Sequence, residues 1–187
     1  MTAESRVTIH MAASLDGYVA RKDGTVDWIE TADEFAAGEE FDAAAAEALL
    51  QGIGCYVMGS RTYETAYGFD TQGLGWPYGD KPTFVLTTRD LPRMRDSVQF
   101  HAGDLAAFLN ERLRSDYASI WVVGGGAVCG ECLRRGLADE VYYAILPVVI
   151  GEGIPFFEAL GRDVALHLRE AKAYRTGMVE LRYDVVK

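Results

Sequence analysis

The residues of this chain best suited to chemistry lie in Ile120-Trp-Val-Val-Gly-Gly-Gly-Ala-Val-Cys129, a short apolar run that ends in three glycines and opens a helix-compatible segment. Three consecutive glycines pack nothing and cost backbone entropy, so a chain keeps them where its main chain must approach something closely. At the end of a buried strand, just before a helix, that partner is often a phosphate or a cofactor ring. A second junction, Val57-Met-Gly-Ser-Arg-Thr-Tyr63, has the same build. Each presents free backbone N–H groups and the positive end of a helix dipole. Two such starts in one sheet suit a ligand with two separated phosphate groups, and a dinucleotide is the obvious candidate.

Ser60, Arg61 and Thr62 add side-chain donors at the first junction, and Leu86-Thr-Thr-Arg89 brings two hydroxyls and a guanidinium at the end of a third strand. A cluster of hydroxyl and guanidinium donors is what a 2′-phosphate requires, so NADPH is expected over NADH. A Rossmann fingerprint fits poorly. The glycines come late, with about sixty residues after them and no further βαβ unit. The chain has three cysteines, Cys55, Cys129 and Cys132. Cys129-Gly-Glu-Cys132 has the spacing of a redox pair or half a zinc site. No second pair exists, and His10, His101 and His167 are scattered, so two small buried helix residues and no metal are expected.

The elements that must position these groups follow from periodicity. Val7–Ser14 predicts a first strand, Leu15-Asp16-Gly17 a turn, Tyr18–Ala20 an extended continuation and Arg21–Gly24 another turn. Glu39–Gln51 reads as a helix ended by Gly52 and Gly54. Cys55–Gly59 is a short buried strand, and Ser60 is a candidate cap for a helix over Arg61–Tyr67. Gly68–Pro82 is a long Gly/Pro-rich loop, and long ordered loops are often functional. Thr83–Thr88 is a strand and Asp104–Asp116 a helix. Ile120–Val123 is a strand and Ala127–Gly136 a helix. Glu140–Ile150 reads as a long strand, and Leu166–Tyr174 with Met178–Val186 as an antiparallel hairpin around Thr176-Gly177. The expected product is one α/β domain over 1–187, with a mixed, mostly parallel sheet, helices on both faces and an antiparallel edge.

Composition narrows the partners. The formal net charge of −10 over 187 residues argues against nucleic acid and anionic membrane. It leaves a small anionic substrate or cofactor open, since that needs only a local donor cluster. The N-terminus lacks the pattern of a signal peptide, and no apolar run approaches the ~18–20 residues of a membrane span, so a cytoplasmic location is expected.

The order and spacing of five segments resemble the dihydrofolate reductase superfamily, including its stand-alone members and the reductase domain of riboflavin biosynthesis. They are Ala13–Gly17, Val57–Glu64, Leu86–Thr88, Val122–Gly126 and Leu146–Gly153. The resemblance implies a three-layer α/β/α fold with an eight- or nine-stranded sheet, and NADPH across the carboxyl ends of the strands. Gly59, Ser60, Arg61 and Thr62 would meet its phosphates, and Thr87, Thr88 and Arg89 its adenosine end. Gly124, Gly125, Gly126, Ala127 and Val128 would run beside the nicotinamide and pyrophosphate. Ala13, Ser14 and Asp16 would border the nicotinamide and substrate, and the Gly68–Pro82 loop with Trp76 would wall the outer pocket.

Dihydrofolate reductases carry a helix carboxylate five residues after a Trp. Trp28 makes Asp33 the nearest match and a candidate ring-stacking residue of Trp28 itself, whereas Asp42 better fits the distance to Gly59. Both acids stay open as proton donors, as does a solvated role for each. Riboflavin-type reductases place Glu before Gly-Gly-Pro. Here Gly124 and Ala127 stand at the Glu and Pro positions, and the zinc-bearing deaminase domain is absent from this sequence. The expected activity is therefore NADPH-dependent hydride transfer to a C=N or C=O of a small pterin- or pyrimidine-like heterocycle. Reduction of 5-amino-6-(5-phosphoribosylamino)uracil and a cofactor-binding or interaction role without turnover are the alternatives. Related domains are often dimers, so the resemblance also implies a homodimer.

Overall fold

A computed structural model describes residues 5–187. Its strands are β1 (Arg6–Ser14), β2 (Tyr18–Ala20), β3 (Cys55–Gly59), β4 (Thr83–Leu86), β5 (Val98–His101), β6 (Ser119–Val122), β7 (Glu140–Leu146), β8 (Ile154–Pro155), β9 (Leu166–Ala173) and β10 (Val179–Val185). The helices are α1 (Ala43–Gln51), α2 (Ser60–Thr71), α3 and α4 (Gly126–Arg134). The α3 segment joins α-helical Leu105–Ala107, π-helical Phe108–Leu113 and α-helical Arg114–Asp116.

Eight strands form one sheet in the order β5-β4-β3-β6-β1-β7-β10-β9, and β2 pairs with β8 apart from it. β5, β4, β3, β6, β1 and β7 run parallel, while β10 joins β7 and β9 antiparallel. This is the expected α/β class with its C-terminal hairpin.

Strand alternation sorts the core onto two faces. Val7 and Ile9 of β1, Val57 of β3 and Ile120 and Val122 of β6 pack with Leu105, Phe108, Leu109 and Leu113 of α3 and with Cys129, Cys132 and Leu133 of α4. The intervening positions Tyr56, Met58, Val85, Trp121 and Tyr142 pack with Tyr63 and Ala66 of α2 and Leu49 of α1. The layers are therefore α3 and α4, the sheet, then α1 and α2.

Several boundaries differ from the sequence expectation. The helix expected from Glu39 starts at Ala43, because the Glu39 backbone is already committed. Its N–H donates to Ala173 O at 2.8 Å, and its carbonyl accepts from Arg175 N at 2.9 Å. β7 stops at Leu146, where the chain bends so that Val148 O accepts from Leu15 N at 2.7 Å. α2 runs on through Gly68 to Thr71, which shortens the following loop. β5 was not foreseen. Of its four residues only Val98 is buried, and Gln99 and His101 break any apolar run. Its Phe100 packs on the α2 side, and its pairing with β4 extends the parallel sheet by one strand.

Candidate functional site

The carboxyl ends of β3 and β6 are tied together by Gly59 N donating to Gly124 O at 2.8 Å and Val123 N to Val57 O at 2.9 Å. This sets the N-termini of α2 and α4 side by side. Gly59 is the N-cap of α2 and Gly125 that of α4. Neither makes a side-chain capping bond, and neither helix has an acid in its first turn. Ser60, expected as the cap, is instead the first helical residue, so its side chain cannot fold back over the open N–H groups. Most helices satisfy such donors with a Ser, Thr, Asp or Asn side chain. Here two helix starts leave theirs to solvent or an anion.

The three glycines divide the work. Gly124 has φ +115°, and a β-carbon there would lie 2.9 Å from Met11 Sδ and 3.1 Å from Thr62 Oγ1. Its peptide bond to Gly125 is cis. At Gly126 a β-carbon would lie 2.6 Å from the Pro155 carbonyl oxygen, so this glycine serves packing against β8. Gly125 differs from both. Its φ is −76°, and the nearest atom to an added β-carbon is Thr62 Oγ1 at 3.7 Å. The main chain is open to an approaching group at Gly125 alone of the three.

The other expected contacts fall unevenly. Thr62 faces Gly124 and Gly125, and Val128 Cγ2 would lie 3.3 Å from a β-carbon on Gly59. Arg61, Thr88 and Ala127 are exposed at the same edge. Thr87 Oγ1 accepts from Arg89 N at 2.9 Å, and the Arg89 guanidinium grips both oxygens of Glu64 at 2.6 and 2.9 Å. Ala13 is buried in the α3–α4 core, leaving only its backbone for a ligand. Ser14 is fully buried and spent locally. It accepts from Tyr18 N at 3.1 Å and donates to Tyr18 O at 3.3 Å. Asp16 pins the turn to the β7–β8 loop by accepting from Gly151 N at 2.8 Å and Ile150 N at 3.2 Å. The neighbouring Ser14 hydroxyl, together with these amides, holds its carboxyl below the usual range.

Neither candidate proton donor lies on a helix. Asp33 and Asp42 are both exposed, on the coil before α1, and the Asp33 carboxylate sits against Gly177. That coil is drawn along the β9–β10 turn by Phe35 N donating to Arg175 O at 2.8 Å and by the Glu39 bonds. Trp28, on the same coil, is buried with its indole N–H lacking an acceptor. Trp76, expected on the wall of the outer pocket, is 9% exposed. It is buried among Tyr63 and Tyr78 at centroid distances of 6.0 and 5.2 Å, beneath α2.

A polar cluster on the α1–α2 face escaped sequence reasoning. Glu180 of β10 is only 7% exposed, and Tyr174 Oη donates to its Oε2 at 2.7 Å. It also takes a hydrogen bond with Tyr142. Desolvation, then the bond to Glu180, raises the pKa of each phenol. Among the described residues no Lys or Arg forms an ion pair with Glu180 within 4.0 Å. His10 Nδ1 lies 3.0 Å from Tyr142 O, and burial pushes its pKa down, so a neutral ring donates there. Glu180 registers with Ala144, and Ala144 with Ala12, so one alanine of β7 separates this acid from Ala12 near the end of β1.

The C-x-x-C pair is inert by environment. Cys129 and Cys132 are fully buried on α4, and desolvation pushes both thiols up, Cys132 to about 12. Cys55 is likewise pushed up to about 12. The thiolate is the reactive form. In native buffer at pH 7 a maleimide is therefore expected to label none of the three, and in denaturant all three. Fast labelling of a native thiol would contradict this arrangement. Among the described residues no group of three or more His, Cys, Asp or Glu could hold a metal ion, and no helix is long and apolar enough to cross a membrane.

Comparison with known proteins places this geometry. The family model of the RibD C-terminal domain matches residues 5–179. The chain belongs to the RibD C-terminal domain family. The chain is 29% identical to the uncharacterized protein YwjB of Bacillus subtilis (strain 168), over 96% of this chain and 98% of that one. A solved Shewanella sp. PV-4 protein with a provisional riboflavin-biosynthesis name superposes with a TM-score of 0.80 at 24% identity, covering 98% of this chain and 99% of that one. The Thermotoga maritima diaminohydroxyphosphoribosylaminopyrimidine deaminase/5-amino-6-(5-phosphoribosylamino)uracil reductase superposes with a TM-score of 0.67 at 14% identity, over 98% of this chain and 57% of that one. A RibD C-terminal domain is a reductase-type domain, so the dihydrofolate reductase-like fold and the oxidoreductase class stand together here.

Proposed function

We propose that this RibD C-terminal domain protein is an NADPH-dependent reductase that delivers hydride to a C=N or C=O carbon of a small pyrimidine- or pterin-like heterocycle. One observation carries the reading: two uncapped helix N-termini, α2 and α4, meet at Gly59–Gly124 with the Gly125 main chain open between them. Free N–H donors on two adjacent helices, with no acid in either first turn, fit a pyrophosphate. When bound, the dihydronicotinamide supplies the hydride. The chain supplies the rest. The α2 and α4 amides with Thr62 hold the phosphates, Gly125 lets the cofactor lie against the main chain, and the Ser14–Gly17 turn closes the end of β1. A reduced C=N also needs a proton at nitrogen. Glu180, hydrogen-bonded to Tyr174 Oη, is the buried carboxyl placed to hold it, in preference to exposed Asp33 or Asp42.

Family membership favours a pyrimidine of the riboflavin pathway, and 5-amino-6-(5-phosphoribosylamino)uracil is the first substrate to try. A pterin is the second, because Gly124 leaves no acid where riboflavin-type enzymes carry Glu. The test is a titration with NADPH and NADH followed by tryptophan fluorescence, then NADPH oxidation with each heterocycle. Micromolar NADPH binding with turnover of either compound is expected. If neither nucleotide binds below about millimolar, weaker than roughly 4 kcal/mol, the reading fails. Binding without oxidation by any heterocycle leaves a cofactor-binding protein instead.

A further inference from the structure

Resting on the nucleotide reading above, we propose that Glu64 acts as a built-in competitor for the cofactor's 2′-phosphate, occupying Arg89 in the free protein and so setting how far NADPH is preferred over NADH. Arg89 follows β4 and Glu64 lies on the second turn of α2, so their pair ties the end of β4 to α2 close to its uncapped N-terminus. The contact is bidentate, at 2.6 and 2.9 Å, which matches the fork of a guanidinium to two coplanar acceptor oxygens. The same donors would serve a phosphate. Thr87 fixes the Arg89 backbone by accepting its N–H at 2.9 Å, so the guanidinium is presented there whichever anion it holds.

Both side chains are about half exposed, Arg89 at 54% and Glu64 at 43%. An exposed pair of this kind contributes little, so an incoming phosphate can displace the carboxylate. The Arg89 bonds also hold the Glu64 carboxyl below its usual range, keeping it an anion, and Arg61 adds to that from the same helix. The displaced carboxylate would then sit beside a phosphate of like charge, a penalty that NADH does not meet. The guanidinium that selects a 2′-phosphate is thus paired in advance with a group that opposes it.

The experiment is calorimetric titration of 2′,5′-ADP and 5′-AMP into the wild-type chain, Glu64→Gln and Asp90→Asn. Asp90 is exposed next to Arg89 and makes no bond to it, so its variant removes the same charge without freeing the guanidinium. Glu64→Gln is expected to bind 2′,5′-ADP about three- to fivefold more tightly, with 5′-AMP unchanged and Asp90→Asn close to wild type. An equal gain for both ligands, an equal gain in Asp90→Asn, or no gain in Glu64→Gln overturns the proposal. Failure of NADPH itself to bind the wild-type chain is a separate result that overturns the nucleotide reading.

Discussion

Gly125→Ala is expected to fold as the wild type does and to lose NADPH. The methyl group enters a residue at φ −76°, an ordinary value for alanine, and meets only Thr62 Oγ1 at 3.7 Å. The free protein therefore has room for it. A pyrophosphate lying on the Gly125 main chain does not, and the loss is expected to reach about a hundredfold in affinity, ~2.7 kcal/mol. Gly126→Ala should behave in the opposite way. Its methyl would meet the Pro155 carbonyl at 2.6 Å, a backbone atom that β8 holds in place, so overpacking of about 1–3 kcal/mol lowers the melting temperature whether or not nucleotide is present. Thermal melts with and without NADPH separate the two. If Gly125→Ala binds NADPH normally, the triplet is a packing device and the cofactor lies elsewhere.

Glu180→Gln is expected to cut turnover by about a hundredfold while leaving NADPH affinity unchanged. Glutamine keeps the size of the side chain and an acceptor for Tyr174 Oη, but it cannot pass on a proton. Glu180 lies on β10, two strands from β1 and on no element that forms the cofactor edge, so an effect on NADPH binding is not expected. Measuring kcat beside the melting temperature distinguishes a proton role from a packing one. A proton donor lost in Glu180→Gln lowers kcat with the melting temperature kept. A purely structural carboxyl would give a lower melting temperature with the same rate. Asp33→Asn and Asp42→Asn serve as comparison, since both acids are exposed.

Much of the edge proposed to hold a cofactor was legible because its signals are local. A glycine that must sit at φ +115°, an apolar strand leading into a helix, and hydroxyl and guanidinium side chains at strand ends are each properties of a few consecutive residues. The buried polar cluster around Glu180 was not legible, and β10 shows why. Val179, Leu181, Tyr183 and Val185 alternate with Glu180, Arg182 and Asp184, which by period two assigns the charged set to solvent. Glu180 is buried because Tyr174 and the coil before α1 fold over that face, with Gly38 against the Tyr174 backbone and the Phe41 ring 5.4 Å from that of Tyr174. No pattern within β10 encodes that cover.

The same division explains the two acids proposed from sequence. Asp33 and Asp42 follow from their distances to Trp28 and Gly59 along the chain, by the spacing of the family's helix carboxylate. Backbone pairing of Glu39 with Ala173 and Arg175, more than 130 residues away, removes the first turn of the helix expected from Glu39 and leaves Asp42 on a coil, while Asp33 lies ahead of it on the same coil. Arg89 is the mirror case. Its type and place were readable, but its pairing with Glu64 depends on how α2 lies beside β4.

The sequence by itself determined the alternation of strands and helices, the antiparallel tail and the glycines at two strand–helix junctions, since these follow from propensity and backbone sterics within short windows. Only the tertiary structure decided that the two junctions meet, that Gly125 alone of its triplet stays open, that Arg89 is already paired, and that the buried acid is Glu180. Each depends on contacts between segments far apart in the chain, and burial and charge pairing are properties of those contacts.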